Sequence, residues 1–228
     1  MKVKKSIYEG EDDCEKNKSF AFGINFYKVI LVFIIGCFLG DIYEIALELL
    51  KHGELVTRQG VLYGPFNPVY GMGAVVFELL FYKMRNLKIV FVVGTLIGGI
   101  FEYLCSFLQE KIFGTLSWDY SGNFMNFQGR TSLYIALFWG ILAVVFVSCM
   151  MPLFDKYIEK IPNRVGIPLS WFVAIFMVIN MSISALAVYR YSAREKGIPA
   201  NTKYEQFLDN TYPDIRVKKS FPNMVFKK

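Results

Sequence analysis

Two stretches of this chain are apolar without interruption. Leu133–Phe154 runs for 22 residues and Val165–Tyr189 for 25 residues without a charged side chain. A helix needs about 20 apolar residues to cross a hydrocarbon core of roughly 30 Å, so both stretches predict membrane-spanning helices. Two further apolar segments, at about residues 27–50 and 87–108, are as long but carry polar positions at helical spacing. The pattern predicts an all-α polytopic membrane protein with four or five transmembrane helices. A polar N-terminal arm (1–26), a membrane domain (27–189) and a basic tail (190–228) follow from it. Pro152 falls near the end of the span at 133–154, where a kink or a stop is tolerated.

The second element is ambiguous. Residues Gly60–Tyr82 read GVLYGPFNPVYGMGAVVFELLFY, and only the 15 residues of 68–82 have the makings of regular helix. At about 1.5 Å per residue that is short for a span. Gly64, Pro65, Pro68, Gly71 and Gly73 break its start. Irregular backbone at membrane depth is tolerated only where protein or a wet cavity satisfies it. The expectation is a half-helix preceded by a re-entrant or interfacial loop, or a short span entered through such a loop. Five spans with the N-terminus inside leave 12 Lys/Arg inside and 13 outside, whereas four spans give 17 and 8. The positive-inside rule favours the second arrangement, with a cytoplasmic N-terminus.

Polar positions within the spans supply the candidate chemistry. Asp41, Glu44 and Glu48 fall at i, i+3 and i+7, within about 60° of arc on one helix face. A solvated helix end explains such a stripe, as does the wall of a polar cavity. Glu44 is the stronger candidate of the three, set among Ile42, Tyr43, Ile45 and Ala46. In the span at 87–108, Thr95, Gly99, Glu102, Ser106, Gln109 and Glu110 share a deeper stripe. Small residues at Gly36/Gly40 and Gly94/Gly98 fit close helix packing, within the chain or in a homo-oligomer. Packing does not explain Glu102. A charge in hydrocarbon costs at least ~2.5 kcal/mol, so it needs a partner, a proton or water. The loop that follows holds Trp118, Asp119, Tyr120, Asn126 and Arg130, more hydrogen-bonding groups than a connector requires. Arg130 suits snorkelling at the interface, an ion pair with Glu102, Glu110 or Asp119, or a grip on an anionic head group. Trp118, Tyr120 and Tyr134 also suit an interfacial aromatic belt.

Composition agrees with the class and narrows the function. The chain is 54% hydrophobic with mean hydropathy +0.38, above the soluble range. Its net charge of +6 is concentrated in the tail, with nine basic and four acidic residues. Anionic lipid is the expected partner of that tail, since each surface Lys/Arg contributes about 1 kcal/mol there. No nucleic-acid module is present. Cys14, Cys37, Cys105 and Cys149 lack CxxC spacing, and His52 is the single histidine, so neither a zinc site nor another metal or cofactor is expected. The N-terminal 18 residues mix both signs of charge and do not read as a signal peptide. P-loop, HExxH and GxSxG patterns are absent, so the chain has no ATPase motif of its own.

Three motifs in order, GVLYGPFNPVYGMGAV (Gly60–Val75), EYLCSFLQEKIFG (Glu102–Gly114) and WDYSGNFMNFQGR (Trp118–Arg130), resemble the bacterial ABC-transporter type IV family. The resemblance covers about residues 29–141 and omits the tail. It emphasises Tyr63, Gly64, Pro65, Pro68, Tyr70, Gly71, Glu102, Tyr103, Glu110, Gly114, Trp118, Asp119, Tyr120, Asn126, Gly129 and Arg130, with Glu44 matching too. It implies a multi-pass permease-like protein of the bacterial cytoplasmic membrane, partnered by a separate ATPase subunit.

Three functions are compatible with this reading. In the first, a transport component, Glu44, Glu102, Glu110, Trp118, Asp119, Tyr120, Asn126 and Arg130 line a substrate or ion pathway. The broken backbone at Gly64, Pro65, Pro68 and Gly71 would sit at that site, as it does in many transporters. Glu102 would carry a proton or cation, or neutralise Arg130. In the second, Glu102, Glu110 and Asp119 act as acid–base groups of an intramembrane enzyme on lipid head groups. In the third, a regulatory or scaffold subunit exposes the Trp118–Tyr120 loop to a partner.

Overall fold

The computed structural model describes residues 19–226, so the first 18 residues of the expected polar arm, with Cys14, lie outside it. Four of its helices are long and apolar enough to cross a membrane. They are α1 (Phe26–His52), α3 (Leu87–Phe113), the continuous run Leu133–Tyr157, and α6 (Asn163–Glu195). The third comprises α4 (Leu133–Val145), a π-helical turn (Phe146–Met150) and α5 (Met151–Tyr157). That turn lies just ahead of Pro152, whose ring cannot follow a regular i→i−4 ladder, so the helix passes the proline instead of stopping. The shorter α2 (Pro68–Phe81) follows the broken segment.

Local signals set these limits. The Asn25, Asn67 and Asn86 side chains each accept from a backbone N–H in the first turn of the helix they precede. Pro68 sits at the first helical position of α2, where its missing N–H costs nothing. Gly114 closes α3 in a left-handed conformation at φ 68°.

α1 and α2 form one antiparallel pair, and α3 and α4 form another. Glycines make both crossings close. A methyl group at Gly40 would land on the Tyr70 ring, and one at Gly98 on Trp139. Gly36 faces Ala74, and Gly94 faces Ala143. The two small-residue faces are therefore filled within the chain. Phe77, Trp139, Phe146 and Phe154 bridge the two pairs in the main core.

The chain has two distinct ends. Lys28, Glu78, Asp155 and Glu159 gather at one of them. There Ser19 donates to the Glu159 carbonyl (2.7 Å) and Asn163 Oδ1 accepts from Phe20 N (2.9 Å). The end of α1, the 53–67 segment, the loop after α3 and the C-terminal residues gather at the other. The broken segment enters from that second end, and α2 carries the chain on to the first. The N-terminal residues described here and the C-terminal tail thus lie at opposite ends.

The tail is folded. α7 (Lys203–Thr211) and α8 (Asp214–Ser220) pack on the end of α6 through Leu208, Tyr212 and Val217. Strand β4 (Val225–Phe226) pairs with β1 (Thr115–Leu116). Short strands β2 (Asn126–Phe127) and β3 (Thr131–Ser132) pair within the loop. Arg190 is bonded to Asp209, and Arg194 to Asp209 and Asp214. Two of the basic groups read as a lipid anchor are therefore neutralised inside the protein.

Candidate functional site

The second end holds a cavity of about 880 Å³. α1 lines it with Tyr43, Glu44 and Glu48, and α2 with Pro68 and Tyr70. Glu102, Cys105 and Gln109 of α3 face it, as do Tyr134, Phe138 and Trp139 of α4. Trp118 and Tyr120 turn inward from the loop, and Phe221–Met224 of the tail close one side.

Glu102 is 94% buried, the complement of its 6% exposure. Its Oε1 accepts from the Tyr120 hydroxyl (3.0 Å) and its Oε2 from Thr131 Oγ1 (3.3 Å). Glu44 accepts from the Tyr70 hydroxyl. Glu48 pairs with Arg58. Burial first, then the Glu102 carboxylate, holds the Tyr120 phenol well above its ordinary pKa, so it stays a donor.

Arg130 does not pair with Glu102. It forms its ion pair with Glu110 and donates to Ser106 Oγ (3.4 Å). Its guanidinium lies 5.5 Å from the centre of the Phe107 ring and 5.8 Å from that of Tyr103. The reason is reach. Trp118 Nε1 donates to the Arg130 carbonyl (3.0 Å), which fixes the backbone beside the last turns of α3, where Glu110 is. Neither Glu110 nor Arg130 lines the cavity.

Asp119 and Asn126 also stay outside the cavity. Asp119 Oδ1 accepts from Ser121 N (2.9 Å) and Ser121 Oγ (2.6 Å). Asn126 donates to the Ser121 and Asn123 carbonyls (3.0 Å each) and accepts from Gly129 N (3.1 Å). Both shape the loop. The carboxylates expected to act together in an enzyme are thus divided between cavity, ion pair and turn. Trp118 and Tyr120 are half-buried. The exposed tip of the loop is Phe124, Met125 and Phe127.

The broken segment is satisfied by α6. Ser184 Oγ accepts from Leu62 N (2.9 Å), and Asn180 Oδ1 from Tyr63 N (3.2 Å). Asn180 Nδ2 donates to the Tyr63 carbonyl (2.7 Å), and Asn67 N donates to the Cys37 carbonyl (2.9 Å). Irregular backbone at depth therefore finds protein partners, as it must. Gly64 (φ 81°) turns the segment, with Pro65 at its tip. Gly71 instead serves packing, because a side chain there would meet Cys37 and Phe33.

Sequence reasoning missed Asn180 and Ser184; their spacing of four within an uncharged run that also carries Ser170 and Ser182 was the available signal. Asp41 of the α1 stripe does not line the cavity. That side chain is fully buried, and neither of its oxygens has a hydrogen-bond partner. Among the described residues, no three His, Cys, Asp or Glu side chains gather in a metal-holding group.

The family model described as Putative ABC-transporter type IV matches residues 31–185. The chain belongs to this family. The match to the ABC-transporter type IV family spans α1 to most of α6, further than the three motifs reach. Cavity residues from Tyr43 to Ala185 fall within it, while the folded tail falls outside. No curated protein and no solved structure matches the chain.

Proposed function

We propose that this protein is the membrane component of a transport system and that the cavity at its second end is the substrate site. It has no ATPase of its own and depends on a separate subunit for energy. The observation that carries this is the placement of Glu102 and Glu44 on the wall of one large cavity, held by hydroxyls and not by bases. A purely structural carboxylate at membrane depth is expected beside a cation, as Lys28 is beside its acids at the other end. Family membership gives the transporter class, and the broken segment beside the cavity matches the place where transporters bind. With Arg130 committed to Glu110, the proton- or cation-carrier role is the one left to Glu102.

The test is co-purification of the tagged chain in mild detergent with quantitative mass spectrometry. A P-loop ATPase at near-equal stoichiometry is the expected result. Recovery of the chain alone, from cells in which it is active, retires the ATPase-dependent reading.

A further inference from the structure

We propose that the cavity takes organic cations bearing an apolar substituent, the charged centre lying between Glu44 and Glu102 and the substituent in an adjoining groove. This deepens the transport reading and rests on its choice of cavity.

Charge comes first. Among the described residues, neither Glu44 nor Glu102 forms an ion pair; hydroxyls of Tyr70, Tyr120 and Thr131 are their partners. Of the two bases on the cavity wall, Arg58 is paired with Glu48 and Lys51 sits exposed at the end of α1. The buried base that would have greeted an anion, Arg130, is held by Glu110 outside the lining. A cation entering gains two carboxylates, whereas an anion must displace none and face both.

The walls point the same way. Tyr43, Tyr70, Tyr134, Phe138 and Trp139 surround the carboxylates with aromatic rings. Ring faces attract cations, most strongly where water is excluded, and suit weakly hydrated organic ammonium or phosphonium centres better than small metal ions.

The third observation concerns shape. A second cavity, about 220 Å³, lies between α1, α2 and α4. Tyr43, Tyr70 and Trp139 line both cavities, so the two adjoin at those rings. The remaining lining is apolar, including Leu39, Leu142 and Val145. An apolar arm attached to a cation in the polar cavity reaches this groove past the shared rings, and the groove and the charge then recognise one molecule.

Two probes of equal shape and opposite charge test the idea. The full chain in nanodiscs is titrated with tetraphenylphosphonium and with tetraphenylborate, and specific uptake is separated from membrane partition by saturation. Saturable binding of the cation alone is expected. Glu102→Gln and Glu44→Gln should each weaken it about tenfold, with the thermal midpoint retained. Where one variant fails to fold, the other decides. Saturable binding of both probes, or cation binding indifferent to both substitutions, overturns the proposal. Decyltrimethylammonium should bind more tightly than tetramethylammonium, and Val145→Trp, on the lipid-facing edge of the groove, should reduce that gain. An unchanged gain overturns the groove assignment. Flux is read separately in proteoliposomes. With the ATPase subunit and ATP supplied, cation binding without flux retires the transport reading and supports this one.

Discussion

Two carboxylate clusters, one at each end of this molecule, treat charge in opposite ways. At the first, Lys28 is fully buried among Glu78, Asp155 and Glu159, with a carboxylate oxygen of Glu159 at 3.1 Å and one of Glu78 at 3.9 Å. Base meets acid, and the cluster ties α1 and α2 to α5 and the turn before α6. At the second, Glu44 and Glu102 have hydroxyl partners, a cavity beside them and no base. A buried ion pair is a closed arrangement that disfavours change. Carboxylates facing an open volume leave part of their electrostatic demand to whatever enters. The difference separates a structural cluster from a candidate binding site although both are built from the same residue types.

The sharpest way to break that comparison is to remove the base from the closed end. Lys28→Met strands the Glu78 carboxylate, 1% exposed, without its cation. Uncompensated buried charge costs about 3–5 kcal/mol, so the variant should lose folded yield and thermal midpoint in detergent, and Lys28→Arg should recover part of both. An unchanged midpoint would remove the structural role assigned to Lys28. The open end should respond the other way. Glu102→Gln keeps the shape and the Tyr120 contact, so transport should be lost while the thermal midpoint stays within a few degrees. Normal transport in this variant ends the carrier role of Glu102, and loss of folded protein would make the two ends alike.

A smaller effect sharpens the comparison from the backbone side. Asn180→Ala strands the N–H and carbonyl of Tyr63. A cost of about 1–3 kcal/mol is expected, with faster hydrogen exchange confined to the 60–67 segment. Uniform exchange across α6 would show a general packing loss instead. The smallest effect concerns the tail. Hydrogen bonds from Arg190, reinforced by Arg194, hold the Asp209 carboxyl below its ordinary 3.8. Its contribution to tail docking is therefore present above that value and lost as pH falls below it, through the depressed folded-state value. Asp209→Asn should remove about 1 kcal/mol or less and flatten the acid dependence of proteolytic release of residues 203–226. An equally steep acid dependence in Asp209→Asn would assign it to other groups.

Much of the candidate site was legible. Glu102 announced itself as a charge in an apolar helix, and Glu44 by its place on a one-sided stripe. Trp118 and Tyr120 stood out by their density of donors. The partners were not legible. Arg130 could reach three acids by sequence distance alone, and the choice of Glu110 depended on where the Trp118 bond fixed the loop. Lys28 meets partners 127 and 131 residues away, a separation across which no local rule operates. The breaking residues of the second element showed that the backbone needed help. They did not show that Asn180 and Ser184, 117 to 122 residues on, would supply it.

By itself the sequence determined the class of this protein. Length and hydropathy of a helix depend on consecutive residues, so four spans, a broken fifth element and the caps were fixed locally. Which faces meet was decided in three dimensions. The glycine stripes could serve a second copy or a neighbouring helix, and the fold used them within the chain. The tail's charge suggested lipid, and the fold pairs two of its arginines with its own aspartates. The seating of the second element was decided the same way, because a broken segment contributes no hydropathy signal and its backbone partners lie on α6. Ion pairing, cavity formation and topology are all contacts between residues far apart in sequence, and only the tertiary structure brings such residues within reach.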